Sequence, residues 1–460
     1  MSLTISLVAI LVIAVAAGLF ARNRAKGLRG GGARLNSLPN YHANFVGMWA
    51  LIPALLFLAI WTPVQGRLID GAVMASSAAQ TLPDFDMTRD TILAEARDIA
   101  SGAIEAGFNP ESTALAPVYA EAGARYAAIG GGIAMLIALV GAWFALRKVK
   151  VDFRARSRVE QLVLGLLVLA SLIAVLTTLG IVLSLLFESL RFFRLVSPTE
   201  FFFGTTWSPQ TAIRADQAGS SGAFGSIPLF WGTAFIGAII AMIVAIPLGL
   251  MSAIFLTQYA PHRVRAWLKP ILEILAGVPT VVYGYFAALT VAPLVRDFGI
   301  SIGISSASSE SALAAGLVMG IMIIPFVSSM ADDSIAAVPQ AMRDGSLALG
   351  ATKSETIKKV VLPAALPGVV GGVLLAVSRA IGETMIVVMA AGLAANMTAN
   401  PFESVTTVTT QIVQLLTGDQ EFESAKTLAA FALGLALFII TLILNLIALR
   451  FVRKYREAYD

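Results

Sequence analysis

Residues 331–368 read ADDSIAAVPQAMRDGSLALGATKSETIKKVVLPAALPG, and they lie between two long apolar runs, 312–331 and 366–392. Charges recur throughout this stretch, so it is too costly to keep in hydrocarbon and reads as a loop between two membrane crossings. Pro339 opens a short amphipathic helix that reaches Leu349, with Ala341, Leu347, Ala348 and Leu349 as a small apolar face. Gly350 stops that helix, and a second helical stretch leads to Leu362-Pro363, where the chain re-enters the membrane. Such a face suits a groove on a partner protein. Gly345 and Gly350 have the gap of the phosphate-binding G-x4-G-K-[ST] loop, but Ala351 and Thr352 stand where Lys and Ser/Thr are needed. Any ATP-driven step is therefore expected to belong to another subunit.

The rest of the chain agrees with a membrane setting. Its 460 residues are 57% hydrophobic and only 13% charged, with a mean hydropathy of +0.82. Soluble domains carry about twice that share of charge, so a soluble enzyme, a nucleic-acid binder and a disordered chain are excluded. Crossing the hydrocarbon takes roughly 20 apolar residues. Nine runs qualify: 3–21, 45–62, 126–146, 161–187, 229–257, 270–295, 312–331, 366–392 and 427–449. The expected fold is an all-α polytopic membrane protein with about nine transmembrane helices. The alternate segments 21–42, 147–160, 258–269, 331–365 and 450–460 hold 22 of the 32 Lys and Arg residues. Positive-inside bias puts these in the cytoplasm, with the N-terminus outside and the C-terminus inside.

Two blocks follow. Residues 1–150 hold three spans and an external segment, 63–125; residues 151–460 hold six spans and the cytoplasmic loop 332–363. Within the external segment, Thr88–Gly107 places Ile92, Ala96, Ile99, Ala103 and Ile104 on one helical face, and Asn109-Pro110 reads as the cap of a new helix. Pro247, Pro279, Pro293 and Pro325 interrupt apolar runs, a pattern tolerated where backbone is covered by protein or lines a cavity.

Few residues can carry chemistry. There is no Cys, and the only histidines, His42 and His262, are far apart, so no Cys- or His-based catalytic or metal cluster is expected. Arg379 and Glu383 stand out in LLAVSRAIGETMIVVMAAG. Intramembrane charges usually face water or the bundle interior and mark a solute path. Their i, i+4 spacing puts both on one helical face, where Glu383 would hold the guanidinium for an anionic solute. The alternative is a self-neutralising pair that only fixes packing. Thr384 follows directly in the same stretch. Glu273, Pro279 and Tyr283, in PILEILAGVPTVVYG, are second candidates for the pathway or its gate, against ordinary snorkelling and packing roles.

The loop resembles the cytoplasmic signature of the permeases of bacterial binding-protein-dependent ABC importers, E-A-A-x3-G-x9-I-x-L-P. Asp344-Gly345-Ser346, Gly350, Val360 and Leu362-Pro363 fall on that spacing, with Asp for Glu, Gly-Ser for Ala-Ala and Val for Ile. AGVPTVVYGYFAALTVAPLV, SRAIGETMIVVMAAG and FFFGTTWSP at 201–209 are similar to the PstC-type phosphate permeases. The resemblance covers about 190–460 and implies a six-helix ABC importer permease core, with residues 1–150 as an N-terminal extension. It implies an inner-membrane complex with a PstA-type second permease, a cytoplasmic PstB-type ATPase dimer and an external PstS-type phosphate-binding protein. ATP would be used by the ATPase, no cofactor would be held by this chain, membrane lipid would be a further partner, and no nucleic acid would be bound. Arg379, Glu383 and Thr384 would contact the passing phosphate, while Asp344, Gly345, Ser346, Gly350, Leu362 and Pro363 would belong to the ATPase-docking loop. A guanidinium fork suits any tetrahedral oxyanion, so sulfate or molybdate, and an ATP-independent anion transporter, stand as alternatives.

Overall fold

The structure, a computed structural model, describes residues 3–30, 35–82, 86–105, 107–211, 221–417 and 424–455. Among them, nine helices are long and apolar enough to cross a membrane. The chain divides into two compact units, Met1–Val175 and Leu176–Asp460. Their boundary lies inside one long helix, Ala155–Leu195.

The first unit is built on α1 (Leu3–Gly30), α2 (Pro39–Met74), α3 (Asp86–Ser101), α4 (Pro110–Arg147) and the first part of α5 (Ala155–Leu195). At 36 and 38 residues, α2 and α4 are each about 55 Å long, against about 30 Å of hydrocarbon. Both therefore continue beyond the membrane and supply the two ends of the segment expected outside. There α3 packs Ile92 and Ala96 against Val73, Leu115 and Tyr119, and Asp70 accepts hydrogen bonds from Tyr119 and Arg97, both at 2.9 Å. The expected apolar face is cut short. Gly102 turns the chain at φ +78°, leaving Ile104 exposed beyond the helix end. Asn109 caps α4 with Pro110 in its first turn, as the spacing indicates.

In the membrane part of this unit, α4 approaches α2 closely. A Cβ on Gly141 would run into the Trp49 carbonyl oxygen, whereas one on Gly123 of the same helix meets nothing within 4 Å. Gly141→Val should therefore cost about 1–3 kcal/mol of stability and lower the thermal midpoint of the detergent-solubilised protein, while Gly123→Ala leaves it unchanged. Equal midpoints for the two variants would show that the helices are not in this register.

The second unit continues with α6 (Pro198–Phe203), a two-stranded antiparallel hairpin of β1 (Trp207–Thr211) and β2 (Ser221–Phe224), α7 (Ile227–Tyr259), α8 (His262–Ala276), α9 (Thr280–Ser301) and α10 (Ala312–Ala336). Then come α11 (Gln340–Ala348), α12 (Lys353–Ile381), α13 (Met385–Ala390), α14 (Val408–Leu416) and α15 (Ala425–Tyr455). The hairpin is the one sheet among the described residues of an otherwise helical fold. Trp207 anchors it, donating its buried indole N–H to Gln411 Oε1 at 2.9 Å.

α10 lies at the centre of this unit, its buried stripe packed between α7 and α12. Two expected spans are redrawn. The run 270–295 is broken at Gly277–Pro279, so α8 is a separate amphipathic helix with no buried residue and the crossing segment is α9. The run 366–392 ends at Ile381, because Gly382 caps α12 and a turn precedes α13. Prolines explain two widenings of the helices. π turns at Ala287–Val291 and Ile357–Val361 end just before Pro293 and Pro363. A wider turn makes room for a ring that cannot donate and that crowds the preceding turn.

Candidate translocation site

Six residues of α10 form one wall of a cavity: Met322, Pro325, Phe326, Ser328, Ser329 and Asp332. Lys269, Leu272, Glu273 and Ala276 of α8 form the facing wall, and Arg379 of α12 enters from the side. The cavity measures about 270 Å³, ample for a tetrahedral oxyanion with water. Its two walls come from separate helices, because the apolar run 270–295 is broken at Gly277–Pro279.

Arg379 is exposed to this space, with its guanidinium 5.9 Å from the centre of the Phe326 ring. Among the described residues, no carboxylate forms an ion pair with it. That corrects the expected Arg379–Glu383 pair. Since α12 stops at Ile381, the i, i+4 register does not extend to Glu383. Glu383 instead accepts the Met385 backbone N–H at 3.1 Å, holding the first turn of α13. Thr384 is the residue that caps α13, with its hydroxyl on the Gly382 carbonyl at 3.3 Å, and Thr409 donates to the Glu383 carbonyl at 2.8 Å. Glu383 and Thr384 thus shape the turn after Arg379, and neither lines the cavity.

Of the second group, Glu273 does line the cavity. Pro279 caps α9, and the half-buried hydroxyl of Tyr283 donates to the Leu275 carbonyl at 2.9 Å. Those two hold the break between α8 and α9.

Sequence reasoning missed a charged cluster at the end of the cavity. Asp332, its side chain only 6% exposed, accepts from Arg265 Nη2 at 3.1 and 3.2 Å and from Lys269 Nζ at 2.8 Å. The hydrogen bond from Lys269 to Asp332 holds the ammonium above the ordinary lysine pKa, so it stays charged at neutral pH. Asp332 and Asp333 are adjacent, and nothing in the sequence marks which faces inward. The buried threonine cluster 406–410 was also unread; Thr233, Thr407, Thr409, Thr410 and Gln411 bond one another and the backbone there.

The loop has the helix–glycine–helix layout of its sequence. α11 exposes Leu347 and, beyond its end, Leu349, which is 91% exposed. Gly350 sits at φ +86°. Asp344 accepts from Gln340 Nε2 at 3.0 Å, Gly345 faces open space, and Ser346 shares a 3.0 Å hydrogen bond with Thr356. Thr352 and Glu355 form a reciprocal cap on the second stretch. Leu362 and the exposed Pro363 follow the π turn into the membrane part of α12. Arg343 of α11 donates to the Ile335 carbonyl of α10 at 2.5 Å, joining the loop to the cavity wall.

Two family models match the chain. One described as phosphate ATP-binding cassette transporter matches residues 7–177, and one described as binding-protein-dependent transport system inner membrane component matches 245–457. A probable ABC transporter permease of Bacillus subtilis, YqgH, is 32% identical over 57% of this chain and 80% of its own length. A probable phosphate transport system permease PstC of Methanocaldococcus jannaschii is 30% identical over 53% of this chain and 80% of its own. PstC 1 of Mycobacterium tuberculosis is 32% identical over 55% of this chain and 81% of its own. The sequence match spans the stretch that carries the loop, the broken helices and the cavity arginine: this chain belongs to the inner-membrane components of binding-protein-dependent transport systems, as a PstC-type permease.

Proposed function

We propose that the chain is one of two permease subunits of an ATP-driven importer of inorganic phosphate. The observation that supports it most is Arg379, a guanidinium with no ion-pair partner among the described residues, facing a cavity of oxyanion size in a PstC-type permease. Among the described residues its five donors make no hydrogen bond, which suits them to phosphate oxygens. An external phosphate-binding protein delivers the anion to the outer face, and a PstA-type permease completes the path. A pair of PstB-type ATPases docks on α11 and the turn at Gly350, binding and hydrolysing ATP. Their closure moves α10 through the Arg343–Ile335 contact and switches access from one side to the other. The positive-inside bias of the basic segments supports a cytoplasmic loop and C-terminus and an external N-terminus. The site need not bind tightly, because a deep well would slow release.

Labelled-phosphate uptake at low concentration, in cells lacking this chain and in the complemented strain, tests the reading. Loss of phosphate uptake alone, restored by the chain, is the expected result. A defect confined to sulfate or molybdate would keep the permease and change its cargo. Transport that persists without the ATPase would overturn the ATP-driven mechanism.

A further inference from the structure

Asp332 and Lys269 line the same cavity as Arg379. Lys269 and Glu273 line both the cavity that holds Arg379 and a second one of about 290 Å³, which His262 and Arg265 also line. Lys269 is therefore the cation common to the two spaces. From Phe326, beside Arg379, to Asp332 is six residues of α10, about 9 Å along its axis. Asp332 is one carboxylate facing two cations, and its hold on them is incomplete. Arg265 reaches both oxygens through a single nitrogen, Nη2, instead of the two-nitrogen fork that gives the strongest carboxylate pairing. The other guanidinium donors make no hydrogen bond among the described residues, and both cationic side chains remain more than a third exposed.

Resting on the phosphate reading above, we propose that Lys269 and Arg265 form a second anion station at the cytoplasmic end of the cavity, which Asp332 occupies as an internal stand-in for the departing phosphate. In the closed state the carboxylate neutralises the station and blocks it. When α10 shifts, Asp332 withdraws, the two cations take the phosphate from Arg379, and the return of Asp332 expels it towards the cytoplasm. The docking helix has a handle on this step, because Arg343 bonds the Ile335 carbonyl one turn along α10 from Asp332. The competition explains how a site with three cations (Arg265, Lys269 and Arg379) releases a doubly charged anion.

The test uses the complete importer in nanodiscs without the external binding protein, with labelled orthophosphate as the probe. Asp332→Asn keeps the shape and removes the competing charge. It should bind orthophosphate about tenfold more tightly, as one additional charge-assisted hydrogen bond would give, while turnover in proteoliposomes falls about tenfold. An assembled Asp332→Asn complex whose phosphate binding equals wild type overturns the proposal, since a purely structural ion pair would not alter binding. If that variant does not assemble, Lys269→Gln decides, because it leaves Asp332 paired with Arg265. Turnover should then fall about tenfold, and unchanged turnover overturns the station. Wild-type uptake of phosphate against sulfate, measured alongside, tests the underlying reading separately; a wild type that carries only sulfate overturns that reading, and the exchange is then followed with labelled sulfate.

Discussion

The Arg379→Ala permease is expected to assemble with its partners and to lose phosphate uptake by a hundredfold or more. Assembly should survive because Arg379 forms no ion pair among the described residues, and its removal strands no buried carboxylate. Transport should fail because each hydrogen bond from a charged donor is worth about 1.5–3 kcal/mol, and a guanidinium can offer an oxyanion two at once. Arg379→Lys keeps the charge and loses the fork, so it should recover part of the rate, within about tenfold of wild type. Glu383→Gln supplies the contrast. Its amide oxygen can still accept the Met385 N–H, so uptake should change far less than in Arg379→Ala. Initial rates of labelled-phosphate uptake, normalised to complex recovered by pull-down, read all three. Normal uptake by Arg379→Ala would remove the proposed anion contact.

Gly350→Val is expected to separate the permease from its ATPase. Here the Gly350 N–H donates to the Leu347 carbonyl at 2.9 Å and the Ala351 N–H to the Ser346 carbonyl at 3.2 Å. Together with φ +86°, these two bonds are the left-handed closure that ends a helix and turns the chain sharply. Nothing lies within 4 Å of a Cβ built at Gly350, so the obstacle is conformational. A residue with a Cβ costs roughly 1–2 kcal/mol in this region, and a β-branched one more. The turn should open, and α11 and the exposed Leu349 would no longer be presented together. Co-purified ATPase should drop about tenfold, and transport with it, while spans and expression are unaffected. Gly350→Asn, which tolerates the left-handed region better, should retain most of both activities. Full coupling in Gly350→Val would count against this turn as the docking surface.

Much of this protein was legible without coordinates. Apolar runs give the number of crossings, since the bilayer imposes a length on any helix that spans it. The loop layout was legible because glycine and proline act locally: Gly350 ends α11 and Pro339 precedes it whatever the tertiary structure. Interruptions inside apolar runs were harder. Pro325 lies within an unbroken α10, whereas Pro279 separates α8 from α9 and Gly382 ends α12. The same residue types kink, break or tolerate a helix according to what neighbouring helices can satisfy.

What the sequence by itself determined is the membrane class, the number of crossings, their charge asymmetry, the helix–glycine–helix layout of the loop and the prominence of Arg379 as a charge within an apolar run. Each rests on composition or on relations a few residues apart. Only the tertiary structure decided what Arg379 faces. It separated the arginine from Glu383 by ending α12 at Ile381, and set it on a cavity lined by α8 and α10. It also brought Arg265 and Lys269 to Asp332 from more than 60 residues away. A carboxylate at the end of a span reads the same in sequence whether it meets water or two cations, because its partners are chosen by helix packing.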